Sequence, residues 1–141
     1  MFVFDDALEK ALENWVGTDN IYIALVTSAV VPTEADVDPE LADYTQIAIQ
    51  GNYTGPVLLN TWANMVTEAA GVITIDDTDA FIEWAQHASS PANARAFVIY
   101  NDTQANDPCF AAHDFGSDQD MSASALRITW HTNGIARLTK S

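Results

Sequence analysis

The sequence predicts an all-β protein, a β-sandwich or distorted barrel of about eight to ten short strands with one N-terminal α-helix. Three observations lead to this fold class. One stretch near the N-terminus has helical periodicity, short apolar runs separated by turn residues follow it, and a strictly alternating stretch lies near the C-terminus. The chain has 141 residues, of which 48% are hydrophobic, so we expect a single β-sandwich domain over residues 1–141.

Residues 5–16 are predicted to form the helix. Asp6 and Glu9 are spaced as in a capping box, and acidic residues suit the positive end of the helix dipole. Gly17 is a suitable residue to end the helix. One apolar stripe at helical spacing would pack on an edge or face of a sheet, and it consists of Leu8, Ala11, Leu12 and Trp15.

The strands are predicted from β-branched and aromatic runs. Ile21–Thr27 has no polar alternation, which is typical of a strand covered on both faces. Val31–Asp43 and 85–94 are predicted to be loops, and 61–70 fits both a helix and a strand. Further strands are predicted at Thr45–Gln50 and, after the turn 51–55, at Pro56–Asn60, Gly71–Ile75, Ala80–Trp84, Ala96–Tyr100 and Cys109–His113.

The β pattern is clearest at the C-terminus. From Leu126 to His131 apolar and polar residues alternate, as in a strand with one buried face. Asn133-Gly134 is a typical hairpin turn, so residues 125–139 are predicted to form a terminal hairpin whose second strand is Ile135–Thr139. We expect one core to contain Ile23, Leu25, Phe97, Ile99, Leu126, Ile128 and Trp130.

Acidic residues dominate the charge of the chain. Twenty Asp and Glu face five Lys and Arg, which gives a formal net charge of −15 at pH 7. Nucleic acids and anionic membranes are recognised by basic surfaces, so we expect neither as a partner. Two explanations stay open, an ordinary acidic protein and a halophilic chain adapted to high salt, where screening relieves self-repulsion. The scarcity of lysine and the excess of Asp over Glu favour the second.

The apolar runs are too short to cross a membrane. None approaches the roughly 18 consecutive apolar residues that a spanning helix needs. The first ten residues, MFVFDDALEK, lack the basic region and cleavage site of a secretion signal. We therefore expect a soluble protein that is not secreted.

The cysteine and the histidines form no recognisable metal motif. Cys109 is the one cysteine, and its apolar segment predicts a small buried hydrophobic residue. His87, His113 and His131 are not spaced like zinc ligands, either with each other or with Cys109.

The acidic turn Asp76–Asp79 is similar in composition to a calcium-chelating loop. It lacks the glycine and the glutamate that an EF-hand requires, so a solvated acidic turn is favoured. A weaker carboxylate site that also uses Asp36, Asp38 or Asp118–Asp120 stays open. We expect no metal ion and no other cofactor.

No catalytic motif stands out. There is no Gly-x-Ser-x-Gly elbow, and Asp114-Phe115-Gly116 matches three letters of a kinase motif whose other parts are missing. Twenty acidic residues provide many chance carboxylate pairs, and nothing singles out one pair for glycoside hydrolysis. We therefore expect no enzyme activity and assign no catalytic, cofactor-binding or metal-binding residue.

Three segments follow one another in an order that carries a resemblance. Ile21–Ser28 (IYIALVTS) precedes an acidic loop, Ala94–Thr103 (ARAFVIYNDT) comes next, and Pro108–Gln119 (PCFAAHDFGSDQ) runs into Leu126–Leu138 (LRITWHTNGIARL). This order resembles a family of small virion structural proteins from tailed phages and related viruses, most clearly over residues 94–138. The turn at Asn52–Gly55 is similar to a Gly-Tyr-Thr turn of that family. The resemblance implies a β architecture and brings no catalytic residue with it.

The resemblance also implies a function. We expect a virion protein that decorates or cements the capsid shell without catalysis. The alternatives are a tail or neck component and a cellular carbohydrate-binding or other ligand-binding β-sandwich. The expected partners are the major capsid protein and further copies of the chain, with a trimer as the first expectation by analogy with decorated capsids. The expected contact elements are Val31–Asp43, residues 85–94 and Met1–Phe4, and this last segment would dock on either the chain's own core or a partner.

Overall fold

The computed structural model describes residues 1–4, 11, 14–69 and 72–139. Within these residues the chain is mostly β, with several antiparallel sheets, so the predicted all-β class is confirmed. The helix predicted over 5–16 lies mostly outside the described residues and is not shown. In the part that is described, the Trp15 backbone N–H donates to the Ala11 carbonyl at 3.1 Å, a pairing with helical spacing.

The described residues contain ten strands, a four-residue helix and one 3₁₀ turn. The helix α1 is Trp62–Met65, and the 3₁₀ turn is Leu41–Asp43. The strands are β1 (Phe2–Val3), β2 (Asn20–Val26), β3 (Val57–Thr61), β4 (Val66–Ala69), β5 (Val72–Ile75), β6 (Phe81–Trp84), β7 (Ala94–Asn101), β8 (Cys109–Gln119), β9 (Leu126–Thr129) and β10 (Ala136–Thr139).

The strands form three antiparallel sheets. The largest has five strands in the order β1-β8-β7-β2-β3. A second sheet has the order β10-β5-β4, and β6 pairs with β9 in a third. The sequence of segment 61–70 fits both a helix and a strand, and the structure contains one of each there: the short helix α1 is followed directly by β4.

β8 extends well beyond the predicted strand Cys109–His113. Its pairing with β7 shifts register, because Ala96 faces Asp114 whereas Ala94 faces Gln119. Such a bulge absorbs extra residues in one strand, and Gly116 lies within it with φ +80°. The glycine and the polar residues around it indicate a turn in sequence, but here they belong to a bulged strand.

The predicted strand Thr45–Gln50 is wrong. This segment makes only isolated bridges, one of them between Val26 and Gln46. Ile47 is buried and its N–H donates to the Leu25 carbonyl at 3.1 Å, but Ile49 is 67% exposed. The segment therefore follows β2 for a few residues and then leaves the sheet.

The predicted terminal hairpin over residues 125–139 is also wrong. β9 pairs with β6, whereas β10 pairs with β5 in another sheet. The Gly134 N–H closes a turn on the His131 carbonyl at 2.8 Å, and Ile135 N–H then donates to the Ile75 carbonyl at 2.7 Å. A Cβ on Gly134 would lie 2.7 Å from the Ile75 carbonyl oxygen. The turn is real, but it delivers the chain to β5 instead of back to β9.

Two apolar clusters cover the two faces of the five-stranded sheet. All seven predicted core residues belong to the first, six of them buried and Leu126 half-buried against it. This cluster also includes residues of the two smaller sheets, such as Ile75 and Trp84. The second cluster contains side chains from the other face of β2 and β7, together with Phe4, Leu41, Tyr44 and Cys109. The prediction that this strand is covered on both faces is therefore confirmed for β2.

A buried polar cluster lies at the start of β2 and the end of β7. Asp19 is 1% exposed, and its Oδ2 accepts hydrogen bonds from Asn101 Nδ2 at 2.8 Å and Gln104 Nε2 at 2.7 Å. Burial alone would raise the pKa of Asp19, but these hydrogen bonds and one from the Val16 N–H outweigh it and lower the pKa. The cluster fixes the start of β2 against the end of β7.

Candidate functional site

The N-terminal segment Met1–Phe4 docks on the chain's own sheet. β1 pairs antiparallel with β8, and Phe2 lies opposite Ala112. Phe4 is fully buried, and its N–H donates to the Phe110 carbonyl at 3.2 Å. Of the two alternatives for these apolar residues, docking on the chain's own core is the one observed.

The loop Val31–Asp43 is held against the sheet by a polar network. Asp36 accepts hydrogen bonds from Thr33 Oγ1 at 2.6 Å and from the Tyr44 hydroxyl at 2.7 Å. Burial would raise the pKa of Asp36, but these bonds outweigh it and lower the pKa. The Cys109 N–H donates to the Pro39 carbonyl at 2.7 Å and ties the loop to β8. The loop therefore presents a fixed surface.

The loop 85–94 is fastened to the turn 51–55. Asn52 donates from Nδ2 to the Ala85 carbonyl at 3.1 Å and from its N–H to Ser90 Oγ at 3.1 Å. Gly51 has φ +60°, and a Cβ there would lie 2.5 Å from Ser90 Oγ. The close approach of these two segments therefore requires glycine at position 51.

Exposed apolar side chains concentrate on the connection from β2 to β3. Of the seven large exposed apolar side chains in the described part of the chain, four lie between residues 30 and 58. Val37 is the most exposed, at 80%. The same stretch carries five acidic residues between positions 34 and 43. We call the four side chains the exposed apolar set: Val30, Val37, Ile49 and Leu58.

The acidic residues considered as cation ligands bind donors of their own loops. Asp76 Oδ1 accepts from the Asp77 N–H at 3.0 Å, and Asp120 Oδ1 accepts from the Ser122 N–H at 2.9 Å and its hydroxyl at 2.6 Å. Among the residues that the structure describes, no group of three or more His, Cys, Asp or Glu side chains is arranged to hold a metal ion.

Cys109 is buried in the second apolar cluster, as the sequence predicts. Burial, together with the negative charges of Asp43 and Asp107, raises the pKa of its thiol. The thiol is therefore kept protonated, and a protonated buried thiol is a poor nucleophile and a poor metal ligand.

A pocket of about 370 Å³ lies between β8 and β9. β8 contributes His113 and Phe115, and β7 contributes Phe97. Five consecutive residues, 127–131, line the opposite side, and Met1 completes the wall. The volume is within the range of small-molecule sites.

The pocket contains a cluster of aromatic rings. The ring centroids of Phe97 and His113 are 5.7 Å apart, those of Phe97 and Phe115 5.9 Å, and those of Phe97 and Trp130 6.2 Å. The Trp130 indole is held from behind by Asp77, whose Oδ2 accepts from Nε1 at 3.3 Å. The rings therefore form a fixed aromatic wall.

Both histidines of the pocket have a neighbouring group at Nδ1. The Asn133 N–H donates to His131 Nδ1 at 3.1 Å, so the neutral ring carries its proton on Nε2. Met1 N lies 2.7 Å from His113 Nδ1. Burial and the adjacent N-terminal charge lower the pKa of His113, so this ring is neutral at pH 7.

Arg127 provides the permanent positive charge of the pocket. Its Nε donates to Glu83 Oε2 at 2.6 Å, and its guanidinium lies 4.2 Å from the centre of the Phe81 ring. The two Nη atoms carry four further N–H groups. Among the described residues that line the pocket there is no Asp or Glu, although twenty are present in the sequence.

Sequence reasoning missed this pocket. The sequence pattern places Arg127, Thr129 and His131 on the polar face of a half-buried strand, and nothing in it connects them to Phe97 or His113. The concentration of basic residues becomes visible only in the structure. Three of the eight Lys, Arg and His residues line this one pocket.

No protein-family model, curated protein or solved structure matches this chain. Among the described helices, none has the length and apolar character needed to cross a membrane.

Proposed function

We propose that this chain is a β-sandwich protein of a virion that decorates or cements the capsid shell without catalysis. The sandwich is supported by the first apolar cluster, which brings side chains of the five-stranded sheet together with those of the two smaller sheets. The virion assignment is supported by the order of segments over residues 21–138 that resembles small virion proteins.

The exposed apolar set is the observation that carries the assembly role. Three of its members, Val30, Val37 and Ile49, lie on the connection from β2 to β3, and this connection is fixed by the Asp36 network and by the bond to β8. A fixed surface loses little conformational entropy on binding, and exposed apolar side chains contribute buried area in a contact. We propose that this surface contacts the major capsid protein or a neighbouring copy.

The charge distribution suits a protein on the outside of a particle. A net charge of −15 keeps particles apart by repulsion, and screening at high salt relieves the repulsion within the chain. Repeated lattice sites are most simply filled by closed homo-oligomers, so we propose a trimer. The edge strand β3, which carries Leu58 of the exposed apolar set, is available to pair with a neighbour.

Image reconstruction of purified particles tests this proposal. Density for the chain should lie on the shell, in contact with the major capsid protein through the connection from β2 to β3. Density confined to the tail or neck would support the runner-up function. Absence from particles would overturn both virion proposals and favour a cellular ligand-binding protein.

A matched pair of variants tests the contact surface. Val37→Asp places a charge in the exposed apolar set, and Val16→Asp places one at an exposed apolar site outside it, 55% exposed against 80% for Val37. In a rebinding assay to particles lacking the protein, Val37→Asp should reduce occupancy at least ~10-fold, because burying an unpaired charge in the contact is costly, and Val16→Asp should not. Equal binding of both variants and wild type would refute the assigned surface.

A further inference from the structure

The pocket between β8 and β9 differs in charge from the rest of the molecule. The chain as a whole carries a net charge of −15, but the titratable side chains that line the pocket are Arg127, His113 and His131. Two acids that contact pocket residues are engaged: Glu83 with Arg127 at 2.6 Å and Asp77 with Trp130 at 3.3 Å. Asp114, next to His113, is bonded to Arg95 at 2.5 Å. An anionic group entering here would meet donors instead of carboxylates.

The donors of the pocket suit a carboxylate. Arg127 has its two Nη atoms in a planar fork, which matches the two oxygens of a carboxylate. The His131 ring is oriented by the Asn133 N–H on Nδ1, so its Nε2–H is a further donor. These two side chains lie four residues apart on the same wall of the pocket.

Aromatic side chains from both sides of the pocket suit a flat apolar ring. Phe97, Phe115 and Trp130 form a cluster with centroid separations of 5.9 Å and 6.2 Å from Phe97. Aromatic rings pack favourably on such walls in offset or edge-to-face arrangements. The volume of about 370 Å³ accommodates a small molecule but not a folded partner.

We propose that this pocket binds a small aromatic carboxylate, with its ring against Phe115 and Trp130, in front of the buried Phe97, and its carboxylate on Arg127 and His131. This site is independent of the proposed role in the virion, because it uses a different surface from the exposed apolar set. Binding would be measured on the isolated chain, so its failure leaves the virion proposal intact.

Calorimetric titration with 2-naphthoate, compared with the neutral 2-naphthamide, tests the ligand class. At about 0.15 M salt, where long-range repulsion by the acidic surface is largely screened, naphthoate should bind with a Kd below ~1 mM. The amide should bind at least ~10-fold more weakly, because it lacks the charge that Arg127 recognises. In an NMR titration the backbone signals of residues 113–115 and 127–131 should shift.

Two histidine variants form a matched pair for the location. His131→Ala removes a pocket donor. His87→Ala removes an exposed histidine outside the pocket. The His87 Nδ1 accepts the Ser89 N–H at 3.1 Å, just as the His131 Nδ1 accepts the Asn133 N–H at 3.1 Å. The first should weaken naphthoate binding at least ~5-fold and the second should leave it unchanged, with matching thermal melts as the check on folding.

Arg127→Gln is the second test of the same contact and should weaken binding at least ~10-fold. The proposal is overturned if naphthoate and naphthamide bind equally, if no saturable binding of naphthoate occurs up to about 10 mM, or if His131→Ala and His87→Ala have the same affinity.

Discussion

Replacing Asn101 by alanine should destabilise the protein strongly, although the residue is polar and belongs to neither proposed contact surface. Asn101 is fully buried. Its Nδ2 donates to Asp19 Oδ2 at 2.8 Å, and its Oδ1 accepts from the Thr103 N–H at 2.9 Å and the Gln104 N–H at 3.2 Å. Alanine removes all three hydrogen bonds and leaves Asp19, which is nearly inaccessible, with fewer donors.

The expected cost follows from these three bonds. A hydrogen bond to a charged group contributes about 1.5–3 kcal/mol, and each neutral one about 0.5–1.5 kcal/mol. Partial replacement by water reduces the sum, so we expect the free energy of unfolding to fall by about 3–5 kcal/mol. This is a large part of the roughly 5–15 kcal/mol by which a domain is stable.

The pH dependence gives an independent readout of the same contact. The folded-state pKa of Asp19 is lowered from 3.8, so this group contributes stability that is present above pH 3.8 and is lost as pH falls through its folded value. Asn101→Ala removes one donor to the carboxylate and reduces that contribution. The stability difference between wild type and variant should therefore shrink as pH is lowered towards 2.

Urea unfolding followed by tryptophan fluorescence, at pH 7 and at steps down to roughly pH 2, measures both effects. Asn93→Ala, which makes the same substitution at an exposed position, should cost much less and serves as the comparison. A loss below ~1 kcal/mol for Asn101→Ala at pH 7 would refute the role given to the buried cluster.

Three further predictions concern stability. Phe97→Ala, in the first apolar cluster, should lower the free energy of unfolding by about 3–5 kcal/mol in urea titrations, and a loss under ~1.5 kcal/mol would contradict its place in the core. Burial raises the pKa of Asp77, and its Oδ1 is buried without a hydrogen-bond partner. Ionised Asp77 therefore lowers the free energy of unfolding as the pH rises through its folded-state pKa. Asp77→Asn should therefore raise the Tm at pH 7 by roughly 3 °C, for about 1 kcal/mol, but not at pH 3. With a net charge of −15, the Tm should rise from low to molar salt, and a flat or falling Tm would count against the halophilic explanation.

The local parts of the fold could be predicted from the sequence because they depend on neighbouring residues. The apolar run at Ile21–Thr27 and the alternation from Leu126 to His131 both mark strands that the structure contains. Each side chain of the predicted core lies in or against one cluster, since alternation specifies which face of a strand is buried.

The pairing of strands could not be predicted, because it depends on contacts between distant residues. The turn at Asn133-Gly134 suggests a local hairpin, but Ile135 packs beside Ile75 and takes the chain to another sheet. The bulge around Gly116 likewise depends on the register of β7. The pocket is invisible in sequence for the same reason, since Phe97, His113 and Trp130 meet only after the sheets form.

The number of copies of this chain per purified particle, relative to the major capsid protein, tests the proposed function most directly. Quantitative mass spectrometry should find a fixed ratio of about one copy for every shell subunit, or a simple fraction of that ratio, as repeated lattice sites require. A few copies per particle would contradict decoration of the shell in favour of a tail or neck position, and none at all would contradict any place in the virion.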